Sequence, residues 1–169
     1  MSITTMQTAT VPTPAGPFTV VADGVTVHGS GWTDDPAELV ALMAPALRPD
    51  ALEVVADLGP VTDAVVAYVD GDLGAIDAVA VHQQSGPFLM EAWEVLRTVP
   101  AGAPVTYAEF AAKAGRPDAV RAAAGACARN AAALFVPCHR VIRTGGGLGG
   151  FRYGLEVKRW LLDHETAGA

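Results

Sequence analysis

The first half of the chain alternates short β-branched runs with turn residues. Residues 18–22 and 25–28 are two such runs on either side of the Asp-Gly pair at 23–24, a pattern that predicts a β-hairpin. The Asp-Pro pair at 35–36 predicts a helix start, because aspartate caps free backbone amides and proline fits the first helical position. Residues 61–68 predict a second helix. We therefore expect a small α+β unit with an antiparallel sheet.

The second half of the chain takes on helical spacing. Residues 88–99 place their apolar side chains on one face of a helix. Thr106 and Glu109 match a capping box, so a second helix is expected to begin there and to end at Gly115. Residues 117–129 predict a third helix. Two short helices joined by a turn that contains glycine are typical of a helix-turn-helix.

The second helix of this pair carries mostly alanine and glycine, together with Arg121 and Cys127. A helix that reads bases in the major groove would present Asn, Gln and several Arg side chains. Their absence favours a close approach to another surface that is indifferent to sequence, with Arg121 as the single probe. An alanine-rich helix buried between neighbouring elements is the alternative.

Composition excludes several classes of protein. With 169 residues, of which 51% are hydrophobic and 17% charged, the chain is not disordered, and no apolar run is long enough to span a membrane. Residues 1–10 lack basic side chains and a continuous apolar stretch, which predicts a loose tail rather than a signal peptide. The only cysteines are Cys127 and Cys138, so a disulfide framework or a four-ligand zinc site is not expected, and a reducing, cytoplasmic location is favoured.

The net charge of −7 is unevenly distributed along the chain. Residues 1–87 contain eleven Asp and Glu and one Arg, whereas residues 88–169 contain seven Asp and Glu and ten Lys and Arg. A polyanion responds to local charge, so the second half could contact phosphates while the first faces away. An acidic domain joined to a nearly neutral one, without any nucleic-acid partner, is the alternative.

Cys138 is the strongest candidate for chemistry. The apolar run at 133–136 predicts a buried extended segment that leads into Pro137 and Cys138, with His139 and Arg140 directly after the cysteine. Neighbouring cations lower the pKa of a thiol, and the thiolate is the nucleophilic form. We predict a reactive Cys138, with inert packing as the alternative, and a structural role for Cys127.

The six residues 137–142, Pro-Cys-His-Arg-Val-Ile, resemble the acceptor-cysteine motif of the O6-alkylguanine-DNA alkyltransferases, or methylated-DNA–protein-cysteine methyltransferases. Residues 16–22 are weakly similar to the first strand of that family. The similarity covers essentially the whole second half, at residues 86–88, 93–100, 105–107, 129–130 and 158–165.

The resemblance implies direct-reversal DNA repair by a suicide enzyme. The alkyl group of O6-alkylguanine, and of O4-alkylthymine, would pass irreversibly to the protein's own cysteine in a single turnover. Cys138 matches the alkyl acceptor, His139 the histidine that takes the thiol proton through a water, and Glu165 the carboxylate that orients it. Asn130 matches a hinge asparagine, and Tyr107 a tyrosine that crowds the target phosphate and helps neutralise the leaving guanine.

Double-stranded DNA is the partner that the resemblance implies, with the second helix of the pair in the minor groove. Small side chains suit that position, and Arg121 matches the arginine finger that fills the gap left by the extruded base. The backbone carbonyls of Cys138 and Val141 would accept hydrogen bonds from the guanine amino group. Four further residues are expected at the base or the DNA, namely Gly125, Thr144, Phe151 and Arg152.

The implied fold is α+β with two domains. Residues 1–85 would form a ribonuclease-H-like domain, a small antiparallel sheet with helices. Residues 86–169 would form a helical domain with a winged helix-turn-helix, which binds DNA and carries the acceptor. A monomer without metal or cofactor is expected.

Three residues depart from the family's usual pattern. Ala131 stands where proline is usual, Phe151 where many members have tyrosine, and Arg152 where many have a small residue. Residues 150–154 instead resemble the variant in the C-terminal domain of the bacterial adaptive-response regulator. We expect these differences to affect which alkyl groups fit the pocket.

Two other functions are compatible with parts of this pattern. A lesion sensor would bind DNA without transfer, although such sensors lack the acceptor cysteine. A cysteine hydrolase would pair Cys138 with a distant histidine such as His164 and would turn over repeatedly. Glycines at 145, 147 and 150 match a dinucleotide-binding motif literally, but no parallel-sheet unit precedes them, so a flexible wing or loop is expected.

Overall fold

The computed structural model describes residues 3–168, which form two compact units. The first unit runs to Gln84 and also contains Ala131–Phe135. The second contains Ser85–Asn130 and the chain from Val136 onward. The hydrophobic pattern changes where the chain passes from the first unit to the second, after Gln84. Nothing in that pattern marks the return of Ala131–Phe135 to the first unit.

A five-stranded sheet forms the centre of the first unit. Its antiparallel middle strands contain the predicted hairpin, which turns at Gly24. The two outer strands run parallel to their neighbours, unlike the purely antiparallel sheet expected, because each returns to the sheet after an intervening helix. The strands are β1 (Thr5–Thr13), β2 (Gly16–Asp23), β3 (Thr26–Gly31), β4 (Ala51–Val54) and β5 (Ala80–Val81), in the spatial order β4-β1-β2-β3-β5.

The predicted loose tail is wrong from Thr5 onward, because β1 is an inner strand of the sheet. Residues 1 and 2 lie outside the described residues. Along β1 the side chains of Met6, Ala9 and Val11 are buried, and so is that of Thr8. Threonine is a β-branched residue that favours strands, but it is polar and so interrupts an apolar pattern. The threonines of β1 therefore break up the apolar run that would otherwise predict a strand.

Two helices of the first unit agree with the sequence. Helix α1 spans Pro36–Leu42, and the Asp35 carboxylate accepts a hydrogen bond from the amide of Ala37 at 3.0 Å. Helix α2 spans Pro60–Val69. Leu39 of α1 is fully buried in a cluster with side chains of β1 and β2. On α2 the side chains of Val61, Val65 and Tyr68 are buried, so both helices are positioned by apolar faces, as the pattern predicts.

Ala131–Phe135 completes the first unit. The Ser30 amide donates to the carbonyl of Ala131 at 2.9 Å, and the Ser30 hydroxyl donates to that of Ala133 at 2.9 Å. The predicted burial is confirmed, but the extended conformation ends in a turn at Leu134, whose φ is 76°. The Ala131 amide donates to the side-chain oxygen of Gln83 at 2.9 Å, a bond that proline could not make.

The second unit is helical with one short pair of parallel strands. Its elements are helix α3 (Pro87–Leu96), strand β6 (Val105–Thr106), helix α4 (Tyr107–Lys113), helix α5 (Val120–Ala128), strand β7 (Val141–Ile142) and helix α6 (Leu155–Gly168), with β6 paired to β7. None of the helices in the part of the chain that the structure describes is both long and apolar enough to cross a membrane.

The helix pair α4–α5 is fixed by local signals. The capping box is present: Glu109 donates its amide to the Thr106 hydroxyl at 3.1 Å, and the Glu109 carboxylate accepts from the Thr106 amide at 2.9 Å. Gly115 ends α4 with a φ of 83°, which other residues rarely adopt. Helix α5 begins at Val120, later than residue 117, and it packs against α3 and α4. The Trp93 indole of α3 donates to the carbonyl of Ala126 at 2.9 Å.

Candidate active site around Cys138

Cys138 begins a short 3-10 turn, Cys138–Arg140, directly after Pro137. Only 8% of the residue is exposed. Its amide donates to the carbonyl of Val136 at 2.8 Å, which fixes the backbone at the start of the turn. The backbone that carries the thiol is therefore held in a set position within the second unit.

His139, Arg140 and Glu165 form a buried cluster next to this turn. Glu165 lies on α6, and one of its oxygens is 2.8 Å from His139 Nε2. Arg140 donates to the same carboxylate through Nε at 3.0 Å and through Nη2 at 2.9 Å, and through Nη1 to the carbonyl of Val99 at 2.8 Å. The structure thus brings together the histidine and carboxylate that the sequence analysis selected, and it adds Arg140.

The charges in this cluster fix the state of the imidazole. Burial alone would raise the pKa of Glu165, but hydrogen bonds and charge from His139 and Arg140 outweigh it and lower the pKa to about 2. Burial also lowers the pKa of His139, and Glu165 opposes that effect only in part. A neutral His139 then donates Nε2–H to the carboxylate, which leaves Nδ1 as a proton acceptor. His139 Nδ1 is buried and has no hydrogen-bond partner among residues 3–168.

Asn130 connects the end of α5 to the acceptor segment. It is 3% exposed, and its side-chain nitrogen donates to the carbonyl of Val136 at 2.7 Å. The same side chain hydrogen-bonds the thiol of Cys138. The predicted hinge residue therefore touches both the backbone before the acceptor and the acceptor sulfur.

The source of positive charge near the thiol differs from the prediction. Burial raises the pKa of Cys138, while the Asn130 hydrogen bond and the charges of Lys158 and Arg152 lower it. His139 and Arg140 follow the cysteine in sequence, but both interact with Glu165 instead. Adjacent residues in a tight turn point in different directions, so the residues that follow Cys138 in sequence are not the ones whose charges act on its thiol.

Lys158 is a site residue that the sequence pattern does not indicate. It is fully buried on α6, and its Nζ donates to the carbonyls of Val141 at 2.8 Å and Gly150 at 3.2 Å. Among the ion pairs found for the described residues, none involves Lys158. Burial lowers its pKa, and the two cysteines Cys138 and Cys127 oppose that effect. The sequence feature that could have marked Lys158 as buried is its spacing from Glu165: the two residues are seven positions apart and therefore share one face of α6.

Tyr107, the first residue of α4, lies on another side of the same site. Burial raises the pKa of its phenol, and Cys127 and Cys138 raise it further. Burial also raises the pKa of Cys127 well above its ordinary value, which agrees with the structural role expected for that cysteine. The phenol hydroxyl therefore keeps its proton and can donate it.

The other predicted contact residues lie on α5 and on the loop of residues 143–154. Arg121 is exposed on α5, and a Cβ added to Gly125 would meet no atom within 4 Å. Thr144 is exposed at the start of the loop and joins none of the contacts described for the cluster around Cys138. The ring centres of Phe151 and Tyr153 are 5.7 Å apart, with the rings in an edge-to-face arrangement, and Arg152 donates to the carbonyl of Ala128.

The described part of the chain contains no group of three or more His, Cys, Asp or Glu side chains placed to hold a metal ion. The groups around Cys138 that can take part in a reaction are the thiol itself, an imidazole with one available nitrogen, a phenol and a buried ammonium. Together they suit a nucleophilic substitution in which the sulfur loses a proton and the leaving group gains one.

Comparisons with known proteins point in the same direction. A sequence model described as the DNA-binding domain of 6-O-methylguanine DNA methyltransferase matches residues 87–167. The methylated-DNA–protein-cysteine methyltransferase of Shigella flexneri is 34% identical over 158 residues, which is 92% of this chain and 92% of that protein. The Escherichia coli protein named bifunctional transcriptional activator/DNA repair enzyme Ada is 47% identical over 79 residues, 47% of this chain but 22% of its own.

Solved structures extend the likeness to the whole fold. The crystal structure of the Mycobacterium tuberculosis O6-methylguanine methyltransferase superposes with a TM-score of 0.79 at 29% identity, over 97% of this chain and 94% of that one. The structure titled as the Mycobacterium tuberculosis OGT in complex with DNA gives a TM-score of 0.80 at 28% identity, over 96% and 94%.

Proposed function

The chain belongs to the methylated-DNA–protein-cysteine methyltransferase family, and we propose that it repairs O6-alkylguanine in double-stranded DNA by moving the alkyl group irreversibly to Cys138. O4-alkylthymine presents the same alkyl–oxygen bond and is a second expected substrate. The observation that carries the proposal is a buried Cys138 in the same short turn as a neutral His139, whose Nε2 is tied to Glu165 and whose Nδ1 remains a proton acceptor.

The reaction begins with removal of the thiol proton. A water carries it from Cys138 Sγ to Nδ1 of His139, and the Glu165 carboxylate stabilises the imidazolium that forms. The thiolate then attacks the alkyl carbon, so that a sulfur–carbon bond forms while the carbon–O6 bond breaks. The electron pair of the broken bond remains on guanine, and Tyr107 supplies a proton to it. The proton held by His139 returns to Tyr107 through solvent, which balances the step.

Lys158 and Arg152 stabilise the thiolate before attack. A buried thiol resists ionisation, and these two cations together with Asn130 act against that resistance. The sulfur loses its negative charge when it forms the thioether, so the stabilisation applies to the nucleophile and not to the product. A thioether has no good leaving group, so each protein molecule repairs one lesion and needs no cofactor.

The target base must leave the duplex, because the alkyl group on O6 cannot reach a buried sulfur while the base is stacked. Unstacking costs a few kcal/mol. In the proposed complex α4 and α5 form a winged helix-turn-helix, with residues 143–154 as the wing. The small side chains of α5 lie in the minor groove, and Arg121 fills the gap in the stack. Gly125 supports this arrangement because its outer side is open.

The finer points of architecture are part of the same proposal. We assign residues 1–85 to a ribonuclease-H-like domain and residues 86–169, apart from the segment Ala131–Phe135 that belongs to the first unit, to the domain that binds DNA and accepts the alkyl group. The carbonyls of Cys138 and Val141 would hold the guanine amino group, and the Lys158 bond to Val141 fixes that carbonyl. Phe151, Thr144 and Arg152 belong to the wall of the base site. The protein is expected to act as a monomer.

The deciding experiment is the intact mass of the protein after incubation with a duplex that carries O6-methylguanine. We expect a gain of one methylene, saturating at one equivalent and mapping to Cys138. Cys138→Ser should abolish the gain and retain DNA binding, whereas Cys127→Ser should react like the wild type.

Other outcomes would replace the proposal. Tight binding to the lesion with unchanged mass would indicate a sensor. Release of more than one equivalent of product would indicate a hydrolase. Transfer that survives in Cys138→Ser would show that another residue is the acceptor.

A further inference from the structure

Arg143 begins the loop of residues 143–154, and a tight turn directs its side chain. The Arg143 amide donates to the carbonyl of Gly147 at 2.8 Å, and the Gly146 amide donates to the carbonyl of Arg143 at 3.1 Å. A Cβ added to Gly147 would lie 3.6 Å from both Cβ and Cδ of Arg143, so the stem of the arginine packs along the turn. The turn therefore limits the directions that this exposed side chain can take.

The Arg143 guanidinium still has its hydrogen-bond donors free. Arg143 is exposed, and none of the hydrogen bonds or ion pairs formed among residues 3–168 uses its side chain. The two other cations that act on the acceptor site are already engaged, since Lys158 donates to two backbone carbonyls and Arg152 donates to one. Of these three cations, Arg143 is therefore the one that can take a further ligand.

Arg143 lies near the groups that surround Cys138. Burial raises the pKa of the Tyr107 phenol, and the positive charge of Arg143 acts against that effect. Burial lowers the pKa of Lys158, and Arg143 lowers it further. The loop itself returns to the same place, because a Cβ added to Gly149 would lie 2.9 Å from the Tyr107 hydroxyl. The exposed guanidinium therefore belongs to the outer rim of the acceptor site.

Positive charge dominates this rim. The loop of residues 143–154 contains two arginines and no Asp or Glu. Among the described residues, the charged groups that shift the pKa of Tyr107 and of Lys158 include no carboxylate. Like charges that are held close together repel one another and favour an anion that binds between them and solvent. Because Lys158 is fully buried and Arg143 is exposed, such an anion would bind at Arg143, on the outside of the site.

A nucleotide matches this arrangement of burial and charge. Its base is neutral and has to reach Cys138, which is 8% exposed, whereas its phosphates are charged and favour water. A base that occupies the site therefore leaves its phosphates at the rim. Arginine suits a phosphate because two of its N–H groups can donate to two oxygens at once.

We propose that Arg143 binds a phosphate that flanks the extruded nucleotide and thereby positions the alkylated base at Cys138. The ligand is a phosphodiester of the substrate strand, so the contact requires neither a second strand nor a particular base. This inference rests on the proposed function, since it concerns the nucleotide whose alkyl group is transferred. It separates Arg143, which binds the backbone, from Arg121, whose proposed role is in the base stack.

The test is a double-mutant cycle between Arg143 and the DNA backbone. Transfer rates are measured with O6-methylguanine duplexes in which the phosphate on the 5′ or the 3′ side of the lesion is replaced by a neutral methylphosphonate. In the wild type one of the two replacements should slow transfer by roughly tenfold, the scale of a hydrogen bond to a charged group. Arg143→Ala should be slower by a similar factor on the normal duplex and should not respond to that replacement. Arg143→Lys keeps the charge and should keep part of the response.

The matched control is Arg159→Ala, since Arg159 is an exposed arginine on α6 that pairs with Asp163 at 3.8 Å. It should respond to the methylphosphonate as the wild type does. A single-stranded oligonucleotide separates Arg143 from Arg121, because it keeps the phosphate and has no duplex stack to fill. Arg143→Ala should slow transfer from this oligonucleotide as much as from the duplex. Free O6-benzylguanine has no phosphate, so the variant should lose less rate with it than with either DNA.

Two results would overturn the phosphate contact. One is a response to both methylphosphonates that is equal in Arg143→Ala and in the wild type. The other is an equal loss of rate with free O6-benzylguanine and with the duplex, which would assign Arg143 to the chemical step. A wild-type protein that transfers no methyl group to Cys138 from the normal duplex would overturn the proposed function instead, so the two failures are distinguishable.

Discussion

At the scale of single residues, the acceptor thiol is under two opposing influences. Burial raises the pKa of Cys138 and protects the sulfur from solvent, while attack on carbon requires the thiolate. Lys158 is central to this balance because it is fully buried and its described partners are two neutral carbonyls. A buried cation without an acidic partner is costly, so its position next to a thiol indicates a role in ionising that thiol.

Replacing Lys158 with methionine should make Cys138 less reactive. Removal of the positive charge raises the thiol pKa, so the pH profile of alkylation by iodoacetamide should move to higher pH. The rate at neutral pH should fall roughly tenfold. Arg159→Met, which changes the neighbouring exposed cation, is the control for the profile. A profile that stays in place while the variant remains folded would assign Lys158 a purely structural role.

The ionisation of Glu165 should make the stability of the folded protein sensitive to acid. Its pKa is about 2 in the folded protein, below the ordinary value of 4.5, so the ionised carboxylate favours folding. That contribution is complete above pH 4.5 and is lost as the pH falls toward 2. It amounts to something on the order of 3 kcal/mol. The free energy of unfolding, measured by urea titration at several pH values, should fall over this range.

Glu165→Gln is the comparison for that acid sensitivity. It should be less stable than the wild type at neutral pH by about 3–5 kcal/mol, because Arg140 keeps a buried charge without its partner. Its stability should also change less between pH 4.5 and 2. Parallel pH curves for the two proteins would contradict the assignment of this acid sensitivity to Glu165.

At the scale of secondary-structure elements, signals confined to a few neighbouring residues gave correct predictions. The Asp35 cap, the Thr106 and Glu109 capping box and the Gly115 helix end depend only on local backbone geometry. The inner strand β1 and the parallel edges of the sheet depend on partners far away in sequence, which no local pattern contains. The local pattern does not indicate the burial of Lys158 for a related reason, since that burial depends on the loop that α6 packs against.

Helix α5 carries a prediction of its own. Arg121 is exposed near its start, whereas Ala123 and Ala126 are buried, so the outer face presents one long side chain among small ones. Arg121→Ala should slow repair of O6-benzylguanine in a duplex by more than tenfold, a loss on the scale of the unstacking energy that the side chain offsets. Reaction with free O6-benzylguanine should change little, since no base has to be extruded. Equal losses in both assays would exclude the finger role.

At the scale of the whole molecule, the charge pattern explains how a chain of net charge −7 can bind a polyanion. Ten of the eleven Lys and Arg residues lie in residues 88–169, which the DNA-binding family model nearly spans. Binding should respond to these cations and little to the acidic residues of the first half.

Salt dependence tests this charge argument. Affinity for an unmodified duplex should fall steeply as salt rises, with a slope in the log–log plot that changes by about one for each phosphate contact removed. Arg129→Ala, at the exposed end of α5, should reduce the slope by about that amount. Asp70→Asn with Asp72→Asn, in the first unit, should leave it unchanged. A slope governed by the acidic pair would contradict the division of roles.

The membership of Ala131–Phe135 in the first unit has a consequence for biosynthesis. When residue 84 has been translated, the first unit still lacks the segment to which Ser30 forms its hydrogen bonds. At elongation rates of roughly 5–20 residues per second the missing residues emerge only roughly 3–10 s later. Over that interval the Ser30 amide and hydroxyl hydrogen-bond to water, and Phe18 lacks the neighbouring ring of Phe135, so the core of the first unit is incomplete. The need for chaperones during synthesis should therefore be greatest after residue 84 has been translated and should end when Phe135 emerges.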